Sequence, residues 1–366
     1  MRKWSVQLLT LALSMAVLAS PRASSRQAAA TPAFEAYSRF DFVPGETIIA
    51  FDDFTQDAIG DFPAKWNTNA SGEIVTITNR PGRWLKLTGG GVFVPDFPAV
   101  LPDNFTLEYD MLVAPSWNSG YRINTAIVEL QDVKQPAGWQ GVDNRFHFST
   151  MPDGPTNSET RQAGTPTAPP ALEFKRFTKN GAPVHVSVWR QRQRVRVYFD
   201  EEKVWDVPRA LLATAKYNTI LFFVPNVDKG SEYFLSNIRF AVGAPDTRNK
   251  LLTEGKWVTR GILFDVNSDK LKPESYGALK EISTVLTENA EVKVQIVGHT
   301  DSDGDAAQNL DLSKRRAASV RAALISQFSI DGARLTTDGK GETQPADKNE
   351  TPIGKANNRR VEFIKM

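Results

Sequence analysis

The sequence predicts a multidomain chain: an all-β sandwich of jelly-roll type over residues 47–242, then an α/β unit in the order βαβαββ over residues 255–366. Three observations predict it. From 47 to 242, short runs rich in β-branched and aromatic residues are separated by Gly, Pro, Asn and Asp, with no long helical period. That is the pattern of many short strands. After about residue 255 the period changes, and strand-like runs alternate with stretches whose apolar residues recur every three or four positions. The length, 366 residues, also exceeds one typical domain.

Composition bounds the chemistry. The chain is 41% hydrophobic and 23% charged with a formal net charge of +2, so nothing calls for nucleic acid or an anionic membrane. It has no cysteine, which removes disulfides, thiolate metal sites, cysteine nucleophiles and the lipid-bearing cysteine of a lipoprotein. His147, His185 and His299 are its three histidines, too few for a histidine-rich metal cage, so neither metal nor cofactor is expected.

The elements follow in order. Residues 1–30 read as a signal peptide: Arg2 and Lys3, then an apolar run from Leu8 to Ala19 too short to span a bilayer, then small residues with cleavage sites near Ala23 or Ala30. No later run is apolar enough to cross a membrane, so the mature chain is expected to be soluble, and cysteine-free export fits a periplasm. Residues 31–46 read as a flexible lead-in. In the β-rich region the alternation is clearest at Val184, Val186 and Val188, then at Val195, Val197 and Phe199, each set facing a core. Residues 150–170 read as a long polar, Pro-rich loop. Arg190, Arg192, Arg194 and Arg196 read as a solvated hairpin that discourages edge pairing.

Residues 243–254 read as a linker. "RGILFDVNS" is the next strand, and Pro273 opens a helix with Tyr276, Leu279, Ile282 and Leu286 on one face. "VKVQIVGH" is a strand, and Asn309 to Gln327 a helix with Leu312, Val320 and Leu324 inward. "RLTTDGKG" and "RRVEFIKM" complete the sheet.

The run Gly298–Asp305, "GHTDSDGD", is the densest polar feature. As a calcium loop starting at Asp301 it fails twice, with Ala306 where a Gly must turn the chain and Leu312 where a Glu must close the cage. Its spacing does not distinguish acid–base work on a sugar from a solvated loop in which one acid caps the following helix.

The full run, "VGHTDSDGDAAQNLDLSKRRAASVRAAL", resembles the OmpA-like peptidoglycan-binding domain of outer-membrane, lipoprotein and flagellar-stator proteins. The shared pattern, GHTD then N-x-x-L-S-x-x-R-A-x-x-V, falls on Gly298–Asp301, Asn309, Leu312, Ser313, Arg316, Ala317 and Val320. "ILFDVNSDKL", "GKGETQP" and "NNRRVEF" match its flanking blocks in order, over about residues 255–366. The strand delivers Thr300 and Asp301 to the sheet rim, and the next helix carries Arg316 about two turns in. A carboxylate and a guanidinium facing one pocket suit a zwitterion, one accepting from an ammonium and the other gripping a carboxylate. The resemblance implies a peptidoglycan stem peptide as ligand, with its diaminopimelate held by Asp301 and Arg316. It also implies that Asp265, Asn309 and Arg359 line the pocket beside Thr300. Asp303 and Asp305 read as loop residues, and Leu312 and Val320 as packing. A surface Asp301–Arg316 salt bridge is the bland alternative.

"IIAFDDFTQDAIGDFPAKWNTN" and "YFLSNIRFAV" resemble the concanavalin-type jelly-roll modules of secreted bacterial proteins. Such modules bind glycans, hydrolyse them, or pack against partners. The glucanase pattern E-x-D-x-x-E begins at Glu108 and Asp110 but meets Val113 in place of the second Glu, so hydrolysis is not expected. Trp117, Tyr121, Trp139 and Phe146 are candidates for stacking on sugars or for packing. The expectation is a non-enzymatic anchor in the periplasm or at the outer membrane of a Gram-negative bacterium. Its partner is peptidoglycan, with a glycan or an outer-membrane protein on the sandwich. The alternatives are a wall-targeted glycan-active enzyme and a lectin or adhesin.

Overall fold

The computed structural model describes residues 40–97, 100–114, 122–129, 132, 139–150, 155–173, 182–225, 227, 232–243 and 247–366. The signal segment 1–30, most of the lead-in, Trp117 and Tyr121 lie outside the described residues.

The β-rich part runs β1 (Thr47–Asp52), β2 (Trp66–Thr68), β3 (Gly72–Ile77), β4 (Arg80–Leu87), β5 (Gly91–Pro95), β6 (Asn104–Val113), β7 (Ile123–Val128), β8 (Arg145–Thr150), β9 (Pro155–Gln162), β10 (Thr165–Thr167), β11 (Leu172–Glu173), β12 (Val184–Gln191), β13 (Arg194–Phe199), β14 (Glu202–Val207), β15 (Thr219–Val224) and β16 (Tyr233–Val242). One sheet has the order β14-β13-β12-β6-β16-β4-β3 with β1 also on β16; the other has β10-β9-β8-β7-β15-β5-β2 with β11 on β9. All these pairings are antiparallel, so the part is a two-sheet sandwich. The residues whose alternation marks them as core are core: Val184, Val186, Val188, Val195, Val197 and Phe199 are buried between the sheets. Tyr109 on β6 meets Phe222 on β15 edge to face at 5.0 Å, and its hydroxyl lies 2.6 Å from Thr125 Oγ1 on β7.

Two sequence expectations are corrected here, and one open alternative is decided. The supposed loop 150–170 contains β9 and β10, because Thr156, Ser158 and Thr160 are buried on a strand without apolar side chains to announce it. Arg190 is not solvated: it is buried, bonding Asp103 Oδ1 at 2.8 Å and Pro102 O at 2.9 Å. Trp139 and Phe146 are packing residues, 3% and 1% exposed, and neither offers a ring face to a sugar.

The rest of the chain comprises α1 (Thr247–Leu252), β17 (Lys256–Thr259), α2 (Tyr276–Glu288), β18 (Val294–His299), α3 (Ala306–Phe328), β19 (Leu335–Gly341), α4 (Pro352–Asn358) and β20 (Val361–Lys365). Its sheet has the order β17-β20-β18-β19, with β18 and β19 parallel and the other pairs antiparallel. Leu279, Ile282 and Leu286 of α2 and Val320 and Leu324 of α3 cover the sheet in one core, while Leu312 is only half-buried. The strand expected in "RGILFDVNS" lies earlier, at β17. Its partner β20 starts at Val361, paired with Thr259, so residues beyond 259 have no strand to pair with and form a loop.

Residues 40–46 and 243–254, taken from sequence as lead-in and linker, are structured where described. Phe40 and Phe42 are buried against Tyr198 on the outer face of the first sheet. Phe42 also crosses α2, where a Cβ at Gly277 would lie 1.8 Å from the Phe42 carbonyl oxygen. Helix α1 contributes Leu251 to the C-terminal core. Apolar residues set among Ala, Ser and Pro give no periodic signal, and only the surface they cover reveals their role.

Candidate functional site

The site is built where β18 ends. Gly298 allows it: a Cβ there would stand 2.3 Å from the Ser313 carbonyl oxygen, so glycine lets α3 press onto the strand. His299, Thr300 and Asp301 follow, each buried. Asp305 caps α3, its side chain accepting from the Gln308 N–H at 2.9 Å, so the helix starts at Ala306 rather than at Asn309. Asp303 pairs with Lys355 of α4 at 2.7 Å. Both are structural, and no cluster of three or more metal-binding side chains occurs among the described residues.

Asp301 Oδ2 accepts from Arg359 Nη1 at 2.5 Å, and its Oδ1 accepts from the Asp303 N–H at 3.2 Å. Asn309 is buried and its Nδ2 donates to Asp303 O at 3.0 Å, to Glu342 Oε2 at 2.7 Å and to Asp301 O at 3.4 Å. Its amide therefore fixes the loop that presents Asp301. Thr300 donates its N–H to Gly341 O at 3.0 Å, and its hydroxyl is buried without a partner.

Arg316 does not pair with Asp301. Its Nε donates to Ser268 O at 2.9 Å, and its guanidinium lies over the Phe264 ring at 4.9 Å from the centroid. Burial pulls this group below the ordinary arginine value. Asp301 and Asp269 oppose that shift, and the Arg359 and Arg315 cations add to it. Asp265 lies in the loop after β17 that also carries Phe264 and Ser268, with Lys270 at 3.4 Å.

A cavity of about 180 Å³ adjoins these groups, lined by Arg316, Arg359 and Phe264 from the C-terminal domain and by Phe51 and Arg239 from the sandwich. Phe51 of β1 supports Arg359, whose guanidinium carbon is 5.6 Å from the ring centroid. Sequence reasoning missed Phe264, Phe51 and Arg239. Phe264 lay inside an expected strand, and no local pattern links the sandwich residues to a site so far along the chain.

Below the sheet rim, His299 Nε2 lies 3.6 Å from Glu362 Oε1. Burial resists ionisation of Glu362, but the nearby His299, the Lys256 ammonium and the charge of Arg360 hold it well below the usual carboxylate range.

A profile of the OmpA family matches residues 263–359. The outer-membrane lipoprotein YfiB of Pseudomonas aeruginosa is 34% identical over 160 residues, 43% of this chain and 94% of its own length. This chain belongs to the OmpA family. Outer membrane porin F of Pseudomonas aeruginosa is 38% identical over 101 residues, but the chain spans only 29% of that protein, so the OmpA domain alone is shared. The carbohydrate-binding module CBM66 of Bacillus subtilis aligns with 48% of this chain and 95% of its own, at 12% identity and a TM-score of 0.32. No described helix is long and apolar enough to cross a membrane. In the OmpA domain the "GHTD" motif is thus the end of β18 with Asp301 at the rim, and the motif arginine is Arg316 on α3.

Proposed function

We propose that the OmpA domain binds peptidoglycan through an uncrosslinked stem peptide, and that this non-enzymatic binding anchors the sandwich in the cell envelope. One observation carries the reading. Arg316 is held by Phe264 and by a single Nε bond, with no carboxylate partner among the described residues, beside the Asp301–Arg359 pair. A guanidinium positioned in this way offers its terminal N–H groups to an incoming carboxylate as a fork. Asp301, which among the described residues accepts from Arg359 and one backbone N–H, supplies the counter-charge for the ammonium of a diaminopimelate end. Asn309 and Thr300 set the loop, and Arg359, 40% exposed at its side chain, leaves Asp301 open to be shared with the ligand. The names of YfiB and porin F place those two proteins in the outer membrane, which supports an envelope setting.

Hydrolysis is disfavoured by what Glu108 and Asp110 already do. Glu108 bonds Arg239 Nη1 at 3.1 Å, and Asp110 bonds His185 Nδ1 at 2.7 Å and Asn237 Nδ2 at 2.6 Å. Neither carboxylate is free for acid–base work.

The test is co-sedimentation of the full chain with isolated sacculi, alongside Asp301→Asn and Arg316→Met. The wild type is expected to pellet and both variants to stay in solution. A folded wild type that stays in solution sinks the proposal.

A further inference from the structure

Arg239 is the unusual residue of the cavity, because it is the charged side chain that the sandwich contributes. On β16 the inward residues are Tyr233 and Leu235 before Asn237, and Ile238 and Phe240 after it. The parity changes because the register with β6 shifts between Ser236 and Arg239, where Asn237 takes φ 52°. This β-bulge turns Arg239 out of the sandwich core and towards the OmpA domain. There it is 7% exposed. Its Nη1 is used by Glu108 at 3.1 Å and by Arg260 O at 3.4 Å. Its Nε and Nη2 are buried and have no hydrogen-bond partner.

Two buried donors of a permanent cation destabilise the fold unless something accepts from them. The cavity that Arg239 lines offers no carboxylate of its own: Arg260, Arg316, Arg359 and Arg360 also line it, and no Asp or Glu does. Burial pulls Arg260 down to about 10; the Arg239 and Arg360 cations add to the shift, and Asp347 and Glu46 oppose it. Nε and Nη2 lie on one edge of a guanidinium, the edge that grips a carboxylate with two parallel bonds. Phe51 and Phe264 give the cavity apolar walls beneath Arg359 and Arg316.

We infer that Arg239 is a second carboxylate clamp, so that the sandwich and the OmpA domain together form one composite site for a stem peptide bearing at least two free carboxylates, one taken by Arg316 and the other by Arg239. This rests on the peptidoglycan reading and deepens it. The sandwich then has a direct part in ligand choice, favouring stems whose second carboxylate is free over stems in which it is amidated.

The test is calorimetric binding of the full chain to a soluble uncrosslinked stem tripeptide, to the same peptide amidated at each carboxylate in turn, and to inorganic phosphate. Wild type, Arg239→Met and Arg239→Lys are compared; the lysine variant keeps a charge for Glu108 should the methionine variant not fold. The wild type should prefer the free acid over one amide by roughly ten-fold or more, the worth of a charge-assisted pair. Both variants should bind that amide as the wild type does and show no preference, the coupling expected when peptide carboxylate and Arg239 are partners. Equal wild-type affinity for every amidated form overturns the assignment, as does a preference that survives in the variants. Arg239-dependent binding of phosphate with Arg239-independent binding of peptide also overturns it, marking an inorganic-anion site. If sacculi pellet the wild type but amidation is without effect, only the Arg239 assignment falls. If the wild type takes neither sacculus nor peptide, the peptidoglycan reading falls with it.

Discussion

Asp301 is paired with Arg359 at 2.5 Å, and Arg316, the arginine that the sequence motif couples to Asp301, lies instead on Phe264. The carboxylate is held in place by a residue from the far end of the domain, and the motif arginine is left with its terminal donors available. Binding and stability are thereby separated at this site.

Arg316→Met should abolish pelleting with sacculi while changing stability little. The folded chain loses one hydrogen bond to Ser268, worth about 0.5–1.5 kcal/mol, and the cation's contact with Phe264, worth about 0.5–1 kcal/mol, while the methionine keeps apolar cover on the ring. Urea unfolding of the variant beside a pelleting assay checks both halves; a large loss of stability would show that Arg316 is structural.

Gly298→Ala should be destabilising by about 1–3 kcal/mol, the usual cost of overpacking, because its Cβ would meet the Ser313 carbonyl oxygen at 2.3 Å. The backbone of α3 must move away from β18, carrying Arg316 with it, so sacculus affinity should fall along with the urea midpoint. Unchanged binding would mean that the α3–β18 spacing does not set the site.

Phe42→Ala should cost about 3–5 kcal/mol, since the ring is 2% exposed and packs on Tyr198 and Trp189. Limited proteolysis of this variant should open a new cleavage site near residues 40–46. A variant as stable and as resistant as the wild type would show that the segment is dispensable to the fold.

His185 gives a pH signature. Burial works against its charge, but Asp110 and Glu108 outweigh burial and push the imidazole up to about 10 from 6.5. With the folded value raised, the stabilisation is complete below pH 6.5 and is lost as pH climbs through about 10. Urea midpoints over that window should fall for the wild type more steeply than for His185→Gln. Parallel curves for the two proteins would exclude His185 as the titrating group.

Most strands of the sandwich were legible in the sequence because period-2 alternation is a local property, clear at Val184 to Val188 and at Val195 to Phe199. Strand β9 was not, because Thr156, Ser158 and Thr160 fill buried positions with hydroxyls. Helix α3 was legible but began earlier than expected, since Asp305 rather than a later residue satisfies the first free N–H groups. At the site, the motif spacing located Asp301, Asn309 and Arg316. It gave no indication that Asn309 would use its amide on the loop, or that Arg359 would take Asp301.

The sequence by itself determined the two architectures and the motif that places Asp301 at a strand end and Arg316 on the next helix, because hydrophobic period and short motifs are read within a few residues. Only the tertiary structure decided which charges pair and which remain free. It brought Arg239 to Glu108, 131 positions away, laid residues 40–46 across the first sheet and α2, and turned Arg239 outwards through the bulge at Asn237. Those outcomes depend on the surfaces that meet when the chain closes, and charges separated in sequence interact only once folding has removed the water between them.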